Sequence, residues 1–409
     1  MNKTLLMVAF DFPPSNAASI QRTLKFCEYL TAWGWDVHVL TAKPYAYPQI
    51  DSNQELSPAI AAKTYRAIAL DVHRHLSIKG KHLSMTKIPD RWSSWGIFGL
   101  QLGKKIIKRI KPDVIWSTSP IPSAHKIARR LAEYGQAPWI ADYRDPLPYM
   151  HFDSGSRLDK VHQQIDQQTL ARANIVTFAT PQAAILYQKR YGDRTAEKFR
   201  VIENGFDEGN FNKLQSLSLP SSPFSNEKFS LYYSGVLYPV GRDPRPLFEA
   251  MATLQSQGHI NGDNFELVFQ GSGDGDGFAD DIKRLNIGPL IRFIEPVPFM
   301  RALYNMTQAD ALLLIQDKKF NAQIPGKIYE YLRTGRPILL KADAEGATAK
   351  IGQPFEGCPI ANDADAIQNT LLEMITKGRQ QHYARDVQQF TRESKAQQLD
   401  QLLLQLISG

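Results

Sequence analysis

Short apolar runs rich in β-branched residues alternate with segments of helical spacing along nearly the whole chain. This rhythm leaves few folds open, because parallel strands joined by helical crossovers build doubly wound sheets. Strands are expected near Leu5 to Phe10, Val37 to Leu40, Val114 to Ser117, Trp139 to Ala141, Ile175 to Phe178 and Arg200 to Ile202. Helices are expected over Ser19 to Trp33, Lys104 to Lys111, Ser123 to Tyr134 and Pro181 to Tyr191. From Leu214 to Lys228 the rhythm stops in a stretch rich in Ser and Pro, which reads as a linker. It restarts with strands near Ser230 to Tyr233, Glu266 to Phe269, Arg292 to Ile294, Leu312 to Ile315 and Pro337 to Leu340. The expected fold is α/β: two doubly wound, Rossmann-like domains, 1–213 and 229–409, joined by the linker 214–228 and facing across a cleft at the carboxyl ends of their strands. The last helix, Ser394 to Ile407, carries Leu399, Leu402, Leu403 and Leu406 on one side and is expected to pack back on the N-terminal domain.

The 409 residues suit two or three domains, and 43% hydrophobic with 22% charged residues exclude disordered and collagen-like classes. Two cysteines, Cys27 and Cys358, supply neither a disulfide scaffold nor a four-ligand zinc site, so a reducing, cytoplasmic setting is expected. The apolar start ends at Asp11 and Pro13-Pro14, too early for a secretory signal, and no run approaches the roughly 20 apolar residues of a membrane span. Residues 1–212 hold 28 Lys and Arg against 19 Asp and Glu, a net of +9, while the remainder is −2. The first half therefore faces an anionic partner or is merely kept soluble by its charge.

After the strand Glu266 to Phe269 comes the glycine-rich turn Gly271-Ser272-Gly273-Asp274-Gly275-Asp276-Gly277, where backbone amides can approach a phosphate with no Cβ in the way. A dinucleotide fingerprint does not register on it, nor does a calcium loop, and Asp274 with Asp276 is too short a match to assign a metal. In Pro325-Gly326-Lys327, followed by helical spacing, a loop opens a helix whose N-terminus, with a lysine beside it, suits a diphosphate. Glu330 falls one turn into that helix, where a carboxylate can accept two ribose hydroxyls; spacing alone fits a solvated helix glutamate better.

Several separate motifs resemble glycosyltransferase family 4, the retaining, nucleotide-sugar-dependent enzymes of GT-B fold. They are Phe12-Pro13-Pro14 with Arg22, Lys111-Pro112-Asp113-Val114-Ile115, Pro138 to Pro146, Val201 to Asp207, Tyr233-Ser234-Gly235 with Gly241-Arg242, and Gln323 to Leu339. The resemblance implies donor binding by Gly235, Arg242, Gly271, Gly273, Pro325, Gly326, Lys327 and Glu330. It also departs from the family at three places: a first glutamate would fall on Ala322, a lysine expected after the donor-domain arginine is missing, and an early glycine pair is Ala17-Ala18. Catalysis is expected from Arg242 and Lys327 stabilising the leaving diphosphate, which demands no metal, and from Asp142 and Arg144 beside the acceptor hydroxyl.

Trp92 and Trp95 share a helical stripe with Phe98, Leu102, Ile106 and Ile110, flanked by Lys104, Lys105 and Lys108 and preceded by Lys79, Lys81 and Lys87. Packing accounts for the isoleucines; for Trp92, Trp95 and the lysines, contact with a membrane surface or an acceptor is expected. No nucleic-acid recognition motif accompanies the charge. The expected activity is transfer of a sugar from a nucleotide-diphosphate sugar to a saccharide or lipid-linked acceptor in surface polysaccharide biosynthesis, at the inner face of the cytoplasmic membrane. A sugar-nucleotide 2-epimerase and a non-catalytic subunit of an assembly complex are the alternatives on the same fold.

Overall fold

The structure, a computed structural model, describes residues 3–17, 20–51, 54–75, 87–147, 155–238 and 240–408. Ala18, Ser19, Lys79 and Lys81, all used in the sequence reading, lie outside the described residues. The chain forms two compact units, Met1–Asn204 with Arg392–Gly409, and Gly205–Thr391.

The first unit holds a seven-stranded parallel sheet: β1 Thr4–Val8, β2 Asp36–Ala42, β3 Thr64–Ala67, β4 Val114–Thr118, β5 Trp139–Tyr143, β6 Ile175–Phe178 and β7 Phe199–Val201. Their order is β3-β2-β1-β4-β5-β6-β7. Leu5, Leu6, Met7 and Val8 are all fully buried. Leu6 and Val8 join a core with Trp95, Ile127 and Leu131, whereas Leu5 and Met7 join another with Phe26, Leu30 and Leu399. Alternate residues thus enter opposite layers, which is why a strand of this sheet reads as an unbroken apolar run.

The second unit repeats the plan with five parallel strands, β8 Phe229–Ser234, β9 Phe265–Gln270, β10 Ile291–Ile294, β11 Ala311–Gln316 and β12 Ile338–Ala342. Their order, β10-β9-β8-β11-β12, reverses direction at β8. Such a reversal makes the loops after β8 and β11 diverge, opening a crevice at the carboxyl ends of the strands.

The unit boundary differs from the one expected. The chain passes between units at Asn204 and Gly205, not at 213, and residues 214–228 belong to the second unit. Phe224 is buried with its ring 5.1 Å from that of Tyr232. Arg292 donates to the Pro223 carbonyl at 2.7 Å, Arg301 to those of Pro220 and Ser221, and Arg379 to that of Asn226. Arginine donors satisfying its carbonyls hold this stretch in place, although its composition is that of a free linker. The final helix, Arg392–Ser408, belongs to the first unit: Ala396, Leu399 and Leu403 are buried beside Phe26 and Trp35, and the Trp35 indole donates to Asp400 at 2.6 Å.

Candidate functional site

The crevice of the second unit is organised around Tyr233 and Ser234 at the end of β8. Gly235 follows with φ of +123°, a conformation open to glycine, and its N–H donates to the Gln270 carbonyl at 2.8 Å while its own carbonyl accepts from Ser272 Oγ at 2.6 Å. The turn after β8 is thereby fastened to the one after β9. From the far side of the reversal comes the helix Lys327–Thr334, capped by Gly326 without a side-chain bond. Its first N–H groups have no partner within the helix and carry its positive dipole end.

Lys327 spans the two loops. Its ammonium donates to the Ser234 carbonyl and lies 3.7 Å from the centre of the Tyr233 ring. A Cβ on Gly235 would come within 3.2 Å of that nitrogen, so the absence of one there leaves the cation room. Arg242 reaches the same region, lying over the Tyr238 ring and donating from Nη1 to the Val236 carbonyl at 2.9 Å. Burial first, and then Arg242 nearby, holds Lys327 well below the ordinary lysine range, with Glu330 acting in the opposite sense. A site that disfavours the charge of its own lysine stands short of negative charge, and an anion entering it would favour that charge.

Glu330 is buried, three residues beyond Lys327 in the first turn of the helix. Gly271 and Gly273 have φ of +70° and +79°; Gly271 donates to the Ile294 carbonyl, and a Cβ on Gly273 would meet nothing within 4 Å. Pro325 is half-buried and Gly326 exposed at the mouth of the helix. The expected donor residues from Gly235 to Glu330 therefore lie on the loops after β8 and β9 and on the loop and helix after β11, at one end of one sheet. Asp274 is occupied in its own turn, accepting from the Asp276 N–H at 3.1 Å. Among the described residues no group of three His, Cys, Asp or Glu side chains could hold a metal ion. Asp317, which follows β11 and fastens to Gly241, escaped the sequence reading; its place directly after a central strand was the available signal.

In the first unit Asp142, expected beside the acceptor, is instead taken up by contacts within the protein. It is fully buried at the end of β5 and accepts from Arg22 Nη2 at 2.8 Å, Arg22 Nε at 3.1 Å, and the hydroxyls of Thr118 and Thr177 at 2.7 Å each. With both oxygens already satisfied there is no lone pair facing solvent for an acceptor hydroxyl. Burial opposes the charge, but Arg22 and the two hydroxyls outweigh it and hold the carboxyl below its usual range. The same arginine donates to the carbonyls of Ile202 and Glu203 at 2.7 Å each, so the pair fastens the segment leading out of the unit. Arg144, two residues beyond Asp142, is half-buried; its N–H donates to Ser119 Oγ at 2.9 Å, and its Nε has no partner among the described residues.

The tryptophans expected at a membrane face inward instead. The helix begins at Trp95 and runs to Ile110, nine residues earlier than the basic segment suggests, and buries Trp95, Gly99, Gly103, Ile106 and Ile107. Trp95 is fully buried, 5.3 Å from the Phe10 ring, and Trp92 lies 4.6 Å from that ring with its indole donating to the Ala46 carbonyl at 3.0 Å. The opposite face exposes Ile97, Phe98, Lys104, Lys105 and Lys108. No helix among the described residues is long and apolar enough to cross a membrane.

Two doubly wound parallel sheets, each of Rossmann-like topology, are those of the GT-B fold. Residues 19–205, just under half of the chain and ending at the unit boundary, match the family model of a glycosyl transferase 4-like domain, in agreement with the family 4 resemblance of the motifs. Among solved structures the chain is similar to sucrose-phosphate synthase of Thermosynechococcus elongatus, at 17% identity and a TM-score of 0.62 over 100% of both chains. HepE of Anabaena in complex with UDP-glucose matches at 14% identity and 0.56, over 99% of this chain and 97% of that one. UDP-GlcNAc 2-epimerase of Methanocaldococcus jannaschii matches at 10% and 0.55, over 98% and 99%. No curated protein matches by sequence.

Proposed function

We propose that the protein is a retaining glycosyltransferase that moves a sugar from a nucleotide-diphosphate sugar to a saccharide or lipid-linked acceptor in surface polysaccharide biosynthesis. The observation that carries this reading is Lys327, poised over Tyr233 between the turn after β8 and the helix after β11, with Arg242 beside it. Bond breaking at the anomeric carbon places negative charge on the leaving diphosphate. Two cations and a helix N-terminus stabilise that charge without a metal. Glu330 is assigned to the ribose. Arg144, with a spare donor at the end of β5, is the group assigned to the acceptor side, since Asp142 is committed to Arg22.

Glu330→Ala is expected to weaken nucleoside diphosphate binding by about 1–3 kcal/mol, the cost of leaving a buried hydrogen-bonding group without its partner. Calorimetry with UDP, GDP and ADP checks it, and unchanged affinity removes the ribose role. The reaction itself is tested with a panel of sugar nucleotides in excess chelator, scoring the anomeric configuration of the product by NMR. The structural likeness to UDP-GlcNAc 2-epimerase supports a second reading, epimerisation. Turnover that needs a saccharide or lipid-linked acceptor favours transfer; turnover of the sugar nucleotide alone favours epimerisation; tight binding with no turnover favours a non-catalytic subunit.

Peripheral attachment at the cytoplasmic face of a membrane remains part of the reading, on different apolar residues. Lys104, Lys105 and Lys108, with Ile97 and Phe98 along the same exposed face, replace the tryptophan contact. Each cation near an anionic surface contributes about 1 kcal/mol. Lys104→Glu/Lys108→Glu should therefore sediment less with anionic vesicles at low salt, and equal sedimentation of variant and wild type counts against membrane attachment.

A further inference from the structure

A buried lysine, Lys341, is paired with the half-buried Asp317, and the chemistry above does not use the pair. Asp317 follows β11, and Lys341 lies on β12 with its side chain only 7% exposed. The lysine donates to Asp317 Oδ1 at 2.9 Å. The other oxygen, Oδ2, accepts the Gly241 N–H at 2.8 Å, and the Asp317 N–H donates back to the Gly241 carbonyl at 3.1 Å. Gly241 has φ of +100°, and the Phe320 ring occupies the place its Cβ would take. Gly241 is thus held through both its N–H and its carbonyl, and walled by a ring. Swinging that carboxylate away would leave the buried Lys341 ammonium without its counter-charge, which opposes the movement.

We propose that Asp317, locked by Lys341, is a positioning residue for the donor site: it fixes Gly241 and so delivers the guanidinium of Arg242, the next residue, to the diphosphate. This rests on the reading of Arg242 as a diphosphate ligand. The clamp crosses the point where strand order reverses, since Gly241 follows β8 and Asp317 follows β11. It ties together the two loops whose divergence opens the crevice. Preorganising a cation in this way removes an ordering cost that would otherwise be met on binding. The effect belongs to the phosphates, not to the nucleoside.

The test compares wild type with Asp317→Asn, which keeps an acceptor for Gly241 but releases Lys341. Calorimetry uses whichever of UDP, GDP and ADP the wild type binds most tightly, and its matching nucleoside. The expected result is a loss of diphosphate affinity of about tenfold or more, with nucleoside affinity changed less than about twofold. Equal losses for both ligands, or no loss for either, overturn the positioning role while leaving the glycosyltransferase reading in place. A wild type that binds none of the three diphosphates overturns that reading and the positioning role with it. If the single variant does not fold, Asp317→Asn/Lys341→Gln removes both charges together and is measured in the same way. Hydrogen exchange on the full wild-type chain supplies a readout that needs no variant. The Gly241 amide is expected to be protected without ligand, and exchange at the rate of an open loop overturns the clamp.

Discussion

Arg22→Leu is expected to destabilise the first unit by about 3–5 kcal/mol, because it strands the Asp142 carboxylate in a fully buried position. The two threonine hydroxyls that remain can hydrogen-bond the charge but cannot neutralise it. The loss also frees the carbonyls of Ile202 and Glu203, which Arg22 satisfies in the wild type. Urea unfolding followed by tryptophan fluorescence reads this unit alone, since Trp33, Trp35, Trp92, Trp95, Trp116 and Trp139 are the only tryptophans of the chain and all lie in it. Arg22→Leu/Asp142→Asn removes both charges and should recover part of the loss. The pH dependence has a definite sign. The folded carboxyl is held below its unfolded value of about 3.9, so its contribution is complete above that pH and fades only as pH falls through the lower, folded value. An Asp142→Asn protein with wild-type stability and no activity would return Asp142 to the catalytic list.

Lys327→Met should lower nucleoside diphosphate affinity by about 1.5–3 kcal/mol, roughly 10- to 150-fold, the range for hydrogen bonds to charged groups. Methionine keeps much of the volume over Tyr233 and removes only the donor and its charge. The wild type should also take up protons on binding. In the free protein, burial and the Arg242 guanidinium disfavour the ammonium, while Glu330 favours it and the phenols of Tyr233 and Tyr331 stay neutral, both being pushed up by burial. An incoming diphosphate adds negative charge and raises the lysine toward its ordinary range near 10.4. Between the lowered free value and that range, up to one proton is absorbed per nucleotide, and affinity falls as pH rises. Titrations at about pH 9 in buffers of different ionisation enthalpy measure the uptake directly. Uptake unchanged in Lys327→Met would assign the proton to another group.

The residues expected on the donor side come together at one edge of one sheet because each position is set locally. Gly235, Gly271, Gly326, Lys327 and Glu330 each lie within a few residues of a strand end or a helix start. In a doubly wound fold that is enough to bring them to one edge of one sheet. The helix Arg157–Arg172 was missed for a related reason. It buries Asp159, His162, Asp166 and Thr169 alongside Ile165 and Leu170, so the apolar periodicity that marks a helix is largely absent. Edge strand β3, with the half-buried run Thr64, Tyr65 and Arg66, lacks the apolar signature of its neighbours in the same way.

By itself the amino-acid order determined the βα rhythm, the two parallel sheets and the glycine and lysine junctions, because strand burial on both faces and loop chemistry are written in adjacent residues. Tertiary structure alone decided which polar groups were spent on holding the protein together. Asp142 stands near Arg144 in sequence but is neutralised by Arg22, 120 positions away. Trp95 shares a helix with exposed lysines yet turns to the core, because the register of that helix against Phe10 assigns its faces. The Ser- and Pro-rich stretch is fastened by arginines roughly 70 to 150 residues downstream of it. Whether a charge is available to a substrate depends on the partners that folding brings to it, and those partners are chosen by packing in three dimensions, not by distance along the chain.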